Sequence, residues 1–307
     1  MPKFTIVIPI YNAADTLPQT LDSIRAQTFT DWQALLVDDG STDESFELAY
    51  QAELADPRFK ACCNNGKGPS DARNYGAMVL ADGDYIAFCD ADDIWLPGKL
   101  QSVADAFDTQ QADAIYGQIG FFQHCPDKLS TVSTVPEGPV SVPMLLGENP
   151  VCTTSNLTVR REVLMSLGGF DDRMIHNEDL ELLIRLVGNG FTLLGVDARH
   201  VLYRTSVGGL SADLDAMRIG RDRALSTAAG FGFAPDAAAE AIHLRYLARR
   251  ALRLDVEPKI ALRLARAGLS QDARAFLSPP RRGAATVVAA LCAPVMPAAL
   301  RRSLFAQ

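Results

Sequence analysis

Residues 3–110 alternate four continuous apolar runs with segments that have the periodicity of amphipathic helices. The runs are KFTIVIPI (3–10), QALLVDD (33–39), RFKACCN (58–64) and DYIAFCD (84–90). Strands that are apolar at nearly every position are buried on both faces, and repeated strand–helix units place such strands parallel to one another. The pattern therefore predicts an α/β fold with a Rossmann-like, mostly parallel central sheet flanked by helices.

The segments between the runs contain helix-start signals. Two of them have a capping-box pattern, in which a Ser or Thr is followed three residues later by Glu or Gln. The pairs are Thr16 with Gln19, and Ser41 with Glu44. Two further helices are predicted after the Gly68–Pro69 turn and over 97–107, where Pro stands at an early position.

The middle of the chain is less regular. A strand is predicted at 113–120, a strand that turns into a helix in TTSNLTVRREVL (153–164), and a helix over 178–187. Two strands are expected near 192–196 and 199–204. From about residue 212 the pattern is helical to the end.

Charge is unevenly distributed along the chain. Up to Met217 there are 14 Lys and Arg against 31 Asp and Glu, whereas from Arg218 onward there are 15 against 6. This division predicts a domain over 1–211 and a basic helical C-terminal region over 212–307. The acidic part is a poor candidate for nucleic-acid binding, because phosphates would be repelled unless a cation intervened.

The six cysteines lack metal-type spacing, which favours a reduced, cytoplasmic compartment without disulfides or a zinc site. The N-terminal apolar run is too short for a secretory signal, and no run reaches 18 strongly apolar residues.

Polar or aromatic groups follow three of the predicted strands. The segments are PIYN (9–12), VDDGSTD (37–43) and CDADD (89–93). In parallel sheets, sites form beyond the carboxyl ends of the strands. We therefore expect these three segments to meet along one edge.

Asp90 and Asp92 are separated by one residue, so in a loop both carboxylates can face a common cation. Mg²⁺ commonly takes one or two carboxylates together with waters and substrate phosphates. On its own, however, the cluster is better explained by Asp92 or Asp93 capping the helix after Pro97 or staying solvated.

The motifs IPIYN…VDDGSTD, GPSDARNYG, GDYIAFCDADDIWLPGKL and NEDLELLIRL occur in this order over residues 3–211. This series resembles the family 2 glycosyltransferases. The resemblance implies a GT-A fold and transfer of a sugar, with inversion at its anomeric carbon, from a nucleotide donor.

The resemblance also implies roles for individual residues in donor binding. Tyr11 would stack on the nucleobase beside Pro9, Asp39 would bind the base with support from Asp38, and Arg73 would approach the nucleotide. Simpler interpretations remain open: a rim aromatic for Tyr11, turn formation for the two aspartates, and a surface ion pair for Arg73.

By the same resemblance, Asp92 would be the principal ligand of Mg²⁺ or Mn²⁺, and Asp90 would touch the metal or the ribose, while Asp93 is less certain. Asp179 would be the general base, with Glu178 beside it. Acidic residues are also common at helix starts for stability alone.

One departure from the family pattern is Ser206, which stands where the family often has His after Tyr-Arg-x. His200 is expected to be a packing residue, and His176 could face the acceptor.

The resemblance implies a UDP-sugar donor and a hydroxyl of a saccharide or lipid-linked acceptor, as in cell-surface polysaccharide synthesis. Two alternatives are a sugar nucleotidyltransferase, although PIYNAADT lacks the Gly-rich basic loop, and a catalytically silent sugar-binding module. The Arg-rich helices of 237–307 could lie on the inner face of the plasma membrane or pack on protein.

Overall fold

The computed structural model describes residues 1–205, 213–254, 257–297 and 300. The chain divides into two compact units, and each has its own cluster of buried apolar side chains. The first unit comprises 1–140 and 150–205; the second joins 141–149 to the part of the chain after 205. The boundary predicted at residue 211 lies outside the described residues.

The first unit contains most of the strands. These are β1 (Phe4–Ile10), β2 (Trp32–Asp38), β3 (Phe59–Cys63), β4 (Tyr85–Phe88), β5 (Ile94–Trp95), β6 (Ala114–Phe122), β7 (Thr131–Val132), β8 (Thr158–Arg160) and β9 (Leu193–Arg204). Its helices are α1 (Leu17–Arg25), α2 (Ser45–Ala55), α3 (Pro69–Asn74), α4 (Lys99–Thr109), α6 (Arg161–Leu167) and α7 (Glu178–Gly188), with α5 (Val142–Gly147) in the other unit. A π-helical segment, Tyr75–Leu80, directly continues α3.

The strands form a sheet in the order β3-β2-β1-β4-β8-β6-β9-β5, and β7 pairs with β6. The first four strands of this order are parallel, as the continuous apolar runs predicted. Beyond β4 the sheet is mixed, because β8 is antiparallel to both β4 and β6. The two strands expected near 192–196 and 199–204 are one strand, β9, whose pairing with β6 shifts register between them.

Neither predicted capping box forms. At the start of α1, the Thr16 hydroxyl donates instead to the carbonyls of Ala91 at 3.0 Å and Ala13 at 3.3 Å. Helix α2 begins four residues after Ser41, and Glu44 stands at its N-cap without a side-chain cap bond. In both places the Thr16 or Ser41 hydroxyl makes a hydrogen bond to a residue that is distant in the sequence, and the local pattern does not predict such a contact.

The second unit is helical. Its C-terminal helices are α8 (Leu214–Gly230), α9 (Ala237–Arg253), α10 (Pro258–Gln271), α11 (Ala273–Leu277) and α12 (Pro280–Cys292), followed by a 3₁₀ turn, Ala293–Val295. Small residues of α9, α10 and α12 form its core around Phe276. Among the described residues, no helix is both long and apolar enough to cross a bilayer.

Candidate functional site

The loops after β1 and β2 are joined by hydrogen bonds. The Asn12 N–H donates to the Ser41 hydroxyl at 3.0 Å, and the Thr42 N–H donates to the Asn12 side-chain oxygen at 2.8 Å. The Ala13 N–H donates to Ser45 Oγ at 2.8 Å. Asn12 has a left-handed φ of 47°, a conformation that Asn tolerates better than most residues. The carboxyl ends of β1 and β2 therefore meet, as the sequence predicted.

Tyr11 and Asp38 occupy this edge in different ways. The Tyr11 side chain is 62% exposed and lies directly after β1, while Pro9 is a half-buried residue within that strand. Asp38 is buried, and its Oδ2 accepts the N–H groups of Gly40 and Ser41, each at 3.0 Å. Asp38 therefore shapes the turn after β2.

Asp39 is half-buried, and both of its carboxylate oxygens have partners. Oδ1 accepts the Asn64 side-chain amide and Oδ2 accepts the Gly68 N–H, both at 2.7 Å. These bonds tie the end of β2 to the turn that opens α3. A carboxylate has about four acceptor positions, so Asp39 keeps capacity for a further donor.

Asp90, at the end of β4, is held by several donors. Its carboxylate accepts Arg73 Nη2 at 2.8 Å, the Thr153 hydroxyl at 3.1 Å and the Thr154 hydroxyl at 3.2 Å. Burial would raise the pKa of Asp90, but the charge and hydrogen bonds of Arg73, with those of the two threonines, hold it below its usual value. Asp90 is therefore an ionised carboxylate in a fixed position.

Arg73 bridges two of the predicted motifs. Its Nη2 contacts Asp90, and its Nη1 donates to Glu178 Oε1 at 3.0 Å. The residue is only 6% exposed, so the surface-ion-pair interpretation is wrong. Burial acts to lower the pKa of the guanidinium, yet Asp90 and Glu178 raise it above its ordinary value. Arg73 thus fixes the end of β4 beside the start of α7.

Helix α3 also holds the loop that leads to α7. The Ser70 hydroxyl donates to the Met174 carbonyl at 3.0 Å, and the Asn74 amide exchanges two bonds with the Phe170 backbone. Gly169 has φ +73°, and a Cβ there would collide with the Asn74 oxygen. Only glycine fits this close approach without strain. The GPSDARNYG motif therefore positions α7.

The two aspartates that follow Asp90 differ in environment. Asp92 is half-buried, and burial followed by repulsion from Asp90 raises its pKa to about 6. Among the described residues, no side chain bonds its carboxylate. Asp93 is fully buried and accepts the Arg204 N–H at 3.0 Å, and burial with its acidic neighbours raises its pKa well above the usual range. Asp93 is therefore a structural group.

Asp179 lies in the first turn of α7 and is half-buried. Burial, followed by the negative charge of Glu178, raises its pKa to about 7, although the Leu180 N–H and Arg73 act in the opposite direction. Such a value suits a general base near neutral pH. Glu178 is instead committed to the ion pair with Arg73.

Sequence reasoning missed the hydroxyl-rich turn Thr153–Asn156, although the TTSN run was a visible signal. Two buried donors converge on its Ser155 carbonyl: Lys99 Nζ at 2.5 Å and Trp95 Nε1 at 3.0 Å. The Ser155 hydroxyl in turn accepts the Asp90 N–H at 2.8 Å. The buried side chains of Lys99 and Trp95 thus fix the turn through the Ser155 carbonyl, and the Ser155 hydroxyl fixes the backbone of Asp90.

We expect Thr154→Val to lower kcat/KM for the reaction at this edge by about tenfold, since a hydrogen bond to a charged group such as Asp90 contributes about 1.5–3 kcal/mol. The matched control is Thr158→Val, because Thr158 is also buried and its hydroxyl bonds to none of the described residues. Steady-state kinetics of both variants test this. Equal losses in the two would contradict the role of the turn.

The histidines contribute little to this region. His200 is 1% exposed, with Nε2 3.0 Å from the Ser102 hydroxyl, and burial lowers its pKa to about 3. It is a packing residue, as predicted. His176 is half-buried in the loop before α7. Ser206 lies outside the described residues.

The carboxylates at this edge fit a cation that is bound jointly by the protein and by ligand phosphates better than one bound by protein side chains alone. Within the described ranges, no group of three or more His, Cys, Asp or Glu side chains could hold a metal ion. Among the described residues, however, no side chain bonds the Asp92 carboxylate, and burial followed by repulsion from Asp90 raises its pKa, so a nearby cation would relieve the repulsion. One or two such ligands are typical of Mg²⁺ bound together with phosphates.

Comparison with known proteins places this geometry in a family. The model of glycosyl transferase family 2 matches residues 5–168. An uncharacterized glycosyltransferase of Nostoc sp. is 34% identical over 53% of this chain and 52% of its own length. The amylovoran biosynthesis glycosyltransferase AmsB of Erwinia amylovora is 30% identical over 62% of this chain and 65% of its own. The matched parts therefore span less than two thirds of either relative.

Solved structures show the same fold. S. aureus TarS 1–349 in complex with UDP-GlcNAc superposes with a TM-score of 0.60 at 16% identity, covering 94% of this chain and 90% of that one. The mannosyltransferase PcManGT of Pyrobaculum calidifontis, in complex with GDP-Man and Mn²⁺, gives 0.54 at 19% identity over 98% and 87%. These likenesses confirm the predicted GT-A fold with its helical C-terminal region. On the family match, the chain belongs to glycosyl transferase family 2.

Proposed function

We propose that this chain is a metal-dependent, inverting glycosyltransferase that moves a sugar from a nucleoside-diphosphate donor to an acceptor hydroxyl. One observation carries the proposal: Arg73 joins the carboxylate loop after β4 to the first turn of α7. This bridge supports a site in which the diphosphate and the base lie at one edge of the sheet. Family membership supports the reaction class.

In the proposed reaction, Asp179 accepts the proton of the acceptor hydroxyl as the oxygen attacks the anomeric carbon. The bond from that carbon to the diphosphate breaks on the opposite face, so the configuration inverts without a covalent intermediate. The elevated pKa of Asp179 supports this role, because a base must be strong enough to take a hydroxyl proton.

Asp92, with Asp90 beside it, would hold the Mg²⁺ or Mn²⁺ that neutralises the departing diphosphate. Asp90 is already bonded to Arg73 and two threonines, so Asp92 is the principal ligand in this proposal. Tyr11 would stack on the nucleobase with Pro9 beside it, and Asp39 would accept from the base while Asp38 shapes the turn. In this scheme Arg73 acts by orienting Asp90 and Glu178.

The donor and acceptor are proposed from relatives. TarS was solved with UDP-GlcNAc. The E. coli proteins WfgD and WfaP, named as UDP-Glc:α-D-GlcNAc-diphosphoundecaprenol β-1,3-glucosyltransferases, are 39% and 27% identical over 32% and 69% of this chain. We propose a UDP-sugar and a lipid-linked saccharide acceptor, in the cytoplasm, for cell-surface polysaccharide synthesis. Residues 1–211 would form the catalytic domain and 212–307 the helical extension.

A panel of nucleotide sugars with Mn²⁺ tests the proposal, with release of nucleoside diphosphate as the measurement. We expect release from one donor, its loss on chelation, and faster release when an alkyl or polyprenyl glycoside acceptor is added. Release of pyrophosphate would support a nucleotidyltransferase instead. Donor binding without any release would indicate a silent sugar-binding module.

The pH dependence of kcat should reflect the protonation of Asp179. Because its pKa is about 7, the base is protonated below neutral pH, and we expect kcat to fall about tenfold per pH unit there. Glu178→Gln removes a neighbouring negative charge and frees Arg73, so the midpoint should move to lower pH. Rate measurements at saturating Mn²⁺ and donor check this. An upward shift would contradict the assignment.

A further inference from the structure

Helix α12 carries an apolar face that no described residue covers. Val288 is 61% exposed and Leu291 54%, and beyond the helix Val295 is 86% and Leu300 49% exposed. Ala284, Ala285 and Cys292 are exposed as well. Positions 284, 288 and 291 recur at intervals of four and three, so they lie on one face of α12, and Val295 follows in the 3₁₀ turn after it. We call these exposed side chains, from Ala284 to Leu300, the α12 stripe.

The opposite face of α12 already makes the packing contacts of this unit. Gly283, Thr286 and Ala290 are buried, and a Cβ at Gly283 would collide with the Leu277 backbone. Ala290 and Ala293 belong to the core cluster around Phe276. The α12 stripe is therefore not needed for the core, and solvent-exposed apolar patches of this kind mark interaction surfaces.

Positive charge flanks the stripe in the sequence. From Gly283 to Leu300 the sequence has no charged residue, and this segment lies between the pairs Arg281–Arg282 and Arg301–Arg302. After Asp272 the chain contains no acidic residue at all. An apolar helix face that follows the exposed Arg281, in a segment without acidic residues, matches the surface of an anionic bilayer, in which acyl chains lie beneath negative headgroups.

We propose that the α12 stripe and the arginines at the start of α12, Arg281 and Arg282, dock on an anionic lipid surface, with Val288, Leu291 and Val295 entering the interface between headgroups and acyl chains. A second copy of the chain is a poorer occupant. Among the described residues after Asp272, every charged side chain is an arginine, so a second copy would add positive charge instead of supplying a negative partner. The docking itself does not depend on the proposed function. Its biological reason does, because a lipid-linked acceptor is presented at such a surface.

Co-sedimentation of the full chain with vesicles tests the proposal without requiring turnover. We expect wild-type protein to bind vesicles of phosphatidylglycerol and phosphatidylcholine, to bind pure phosphatidylcholine about tenfold less, and to be released by salt. Val288→Asp with Leu291→Asp should reduce binding to the anionic vesicles by about tenfold or more. The matched control is Leu54→Asp with Val79→Asp, two exposed apolar residues of the first unit.

Three results would overturn the proposal: no binding of wild type to anionic vesicles, equal binding of the stripe variant, or an equal loss in the control variant. A dimer in size-exclusion chromatography that the stripe variant alone converts to monomer, with vesicle binding unchanged, would assign the stripe to a second copy. Circular dichroism establishes that the variants are folded. If the donor panel failed while vesicle binding followed the expected pattern, the proposed reaction would fall and the docking surface would stand.

Discussion

Replacing Asp179 by Asn should lower kcat for sugar transfer by about 10³-fold while donor affinity stays within a few-fold of wild type. The substitution keeps the shape of the side chain but removes its ability to accept a proton. The donor contacts proposed here lie at the ends of β1, β2 and β4, so they should survive. Stopped-assay kinetics and donor titration calorimetry measure the two quantities separately.

The same variant should be folded and, above neutral pH, no less stable than wild type. The pKa of Asp179 is raised from 3.8 to about 7 in the native state, so its contribution to the free energy of unfolding decreases as pH rises through that interval. Asn does not titrate and avoids this decrease. Asp22→Asn, at a 75% exposed carboxylate on α1, is the control and should alter neither activity nor melting temperature. Full activity of Asp179→Asn would show that another group is the base.

Replacing Asp92 by Asn should weaken Mn²⁺-dependent binding of nucleoside diphosphate by about 100-fold or more, because it removes a charged ligand. In wild type, the raised pKa of Asp92 should also make this binding weaker at acidic pH, since protons compete with the cation below about pH 6. Calorimetric titration with and without Mn²⁺ measures both effects.

Asp105→Asn is the matched control for Asp92, since Asp105 is an exposed carboxylate on α4 that accepts a hydrogen bond from the neighbouring Gln101. It should bind nucleotide as wild type does. Chelation should reduce wild-type affinity to that of Asp92→Asn. If the variant retained full cation-dependent affinity, the cation would have to be held elsewhere.

The sequence predicted those parts of the fold that depend on local pattern. The apolar runs before Asp38 and Asp90 are buried strands because nearly every side chain is apolar, and α7 begins at Glu178 where its periodicity begins. The meeting of strand ends followed from parallel pairing alone. These features require no knowledge of distant residues.

The features that sequence reasoning missed depend on contacts between distant residues. Asp90 and Thr154 are 64 positions apart, and Arg73 and Glu178 are 105 positions apart. Nothing in the local sequence around Arg73 distinguishes a buried bridge from a surface ion pair. Thr16 does not cap α1 for the same reason, because its hydroxyl donates to the Ala91 carbonyl, which lies 75 residues away in the sequence. Short strands such as β5 exist only through their pairing with β9.

The anomeric configuration of the product tests the central claim most directly. With the donor found by the panel and an alkyl glycoside acceptor, proton NMR distinguishes the two possible anomers of the new linkage. A single displacement with Asp179 as base predicts that an α-linked donor gives a β-linked product. An α-linked product would contradict the account, because retention requires a different arrangement of reacting groups from the one proposed around Asp92, Arg73 and Asp179.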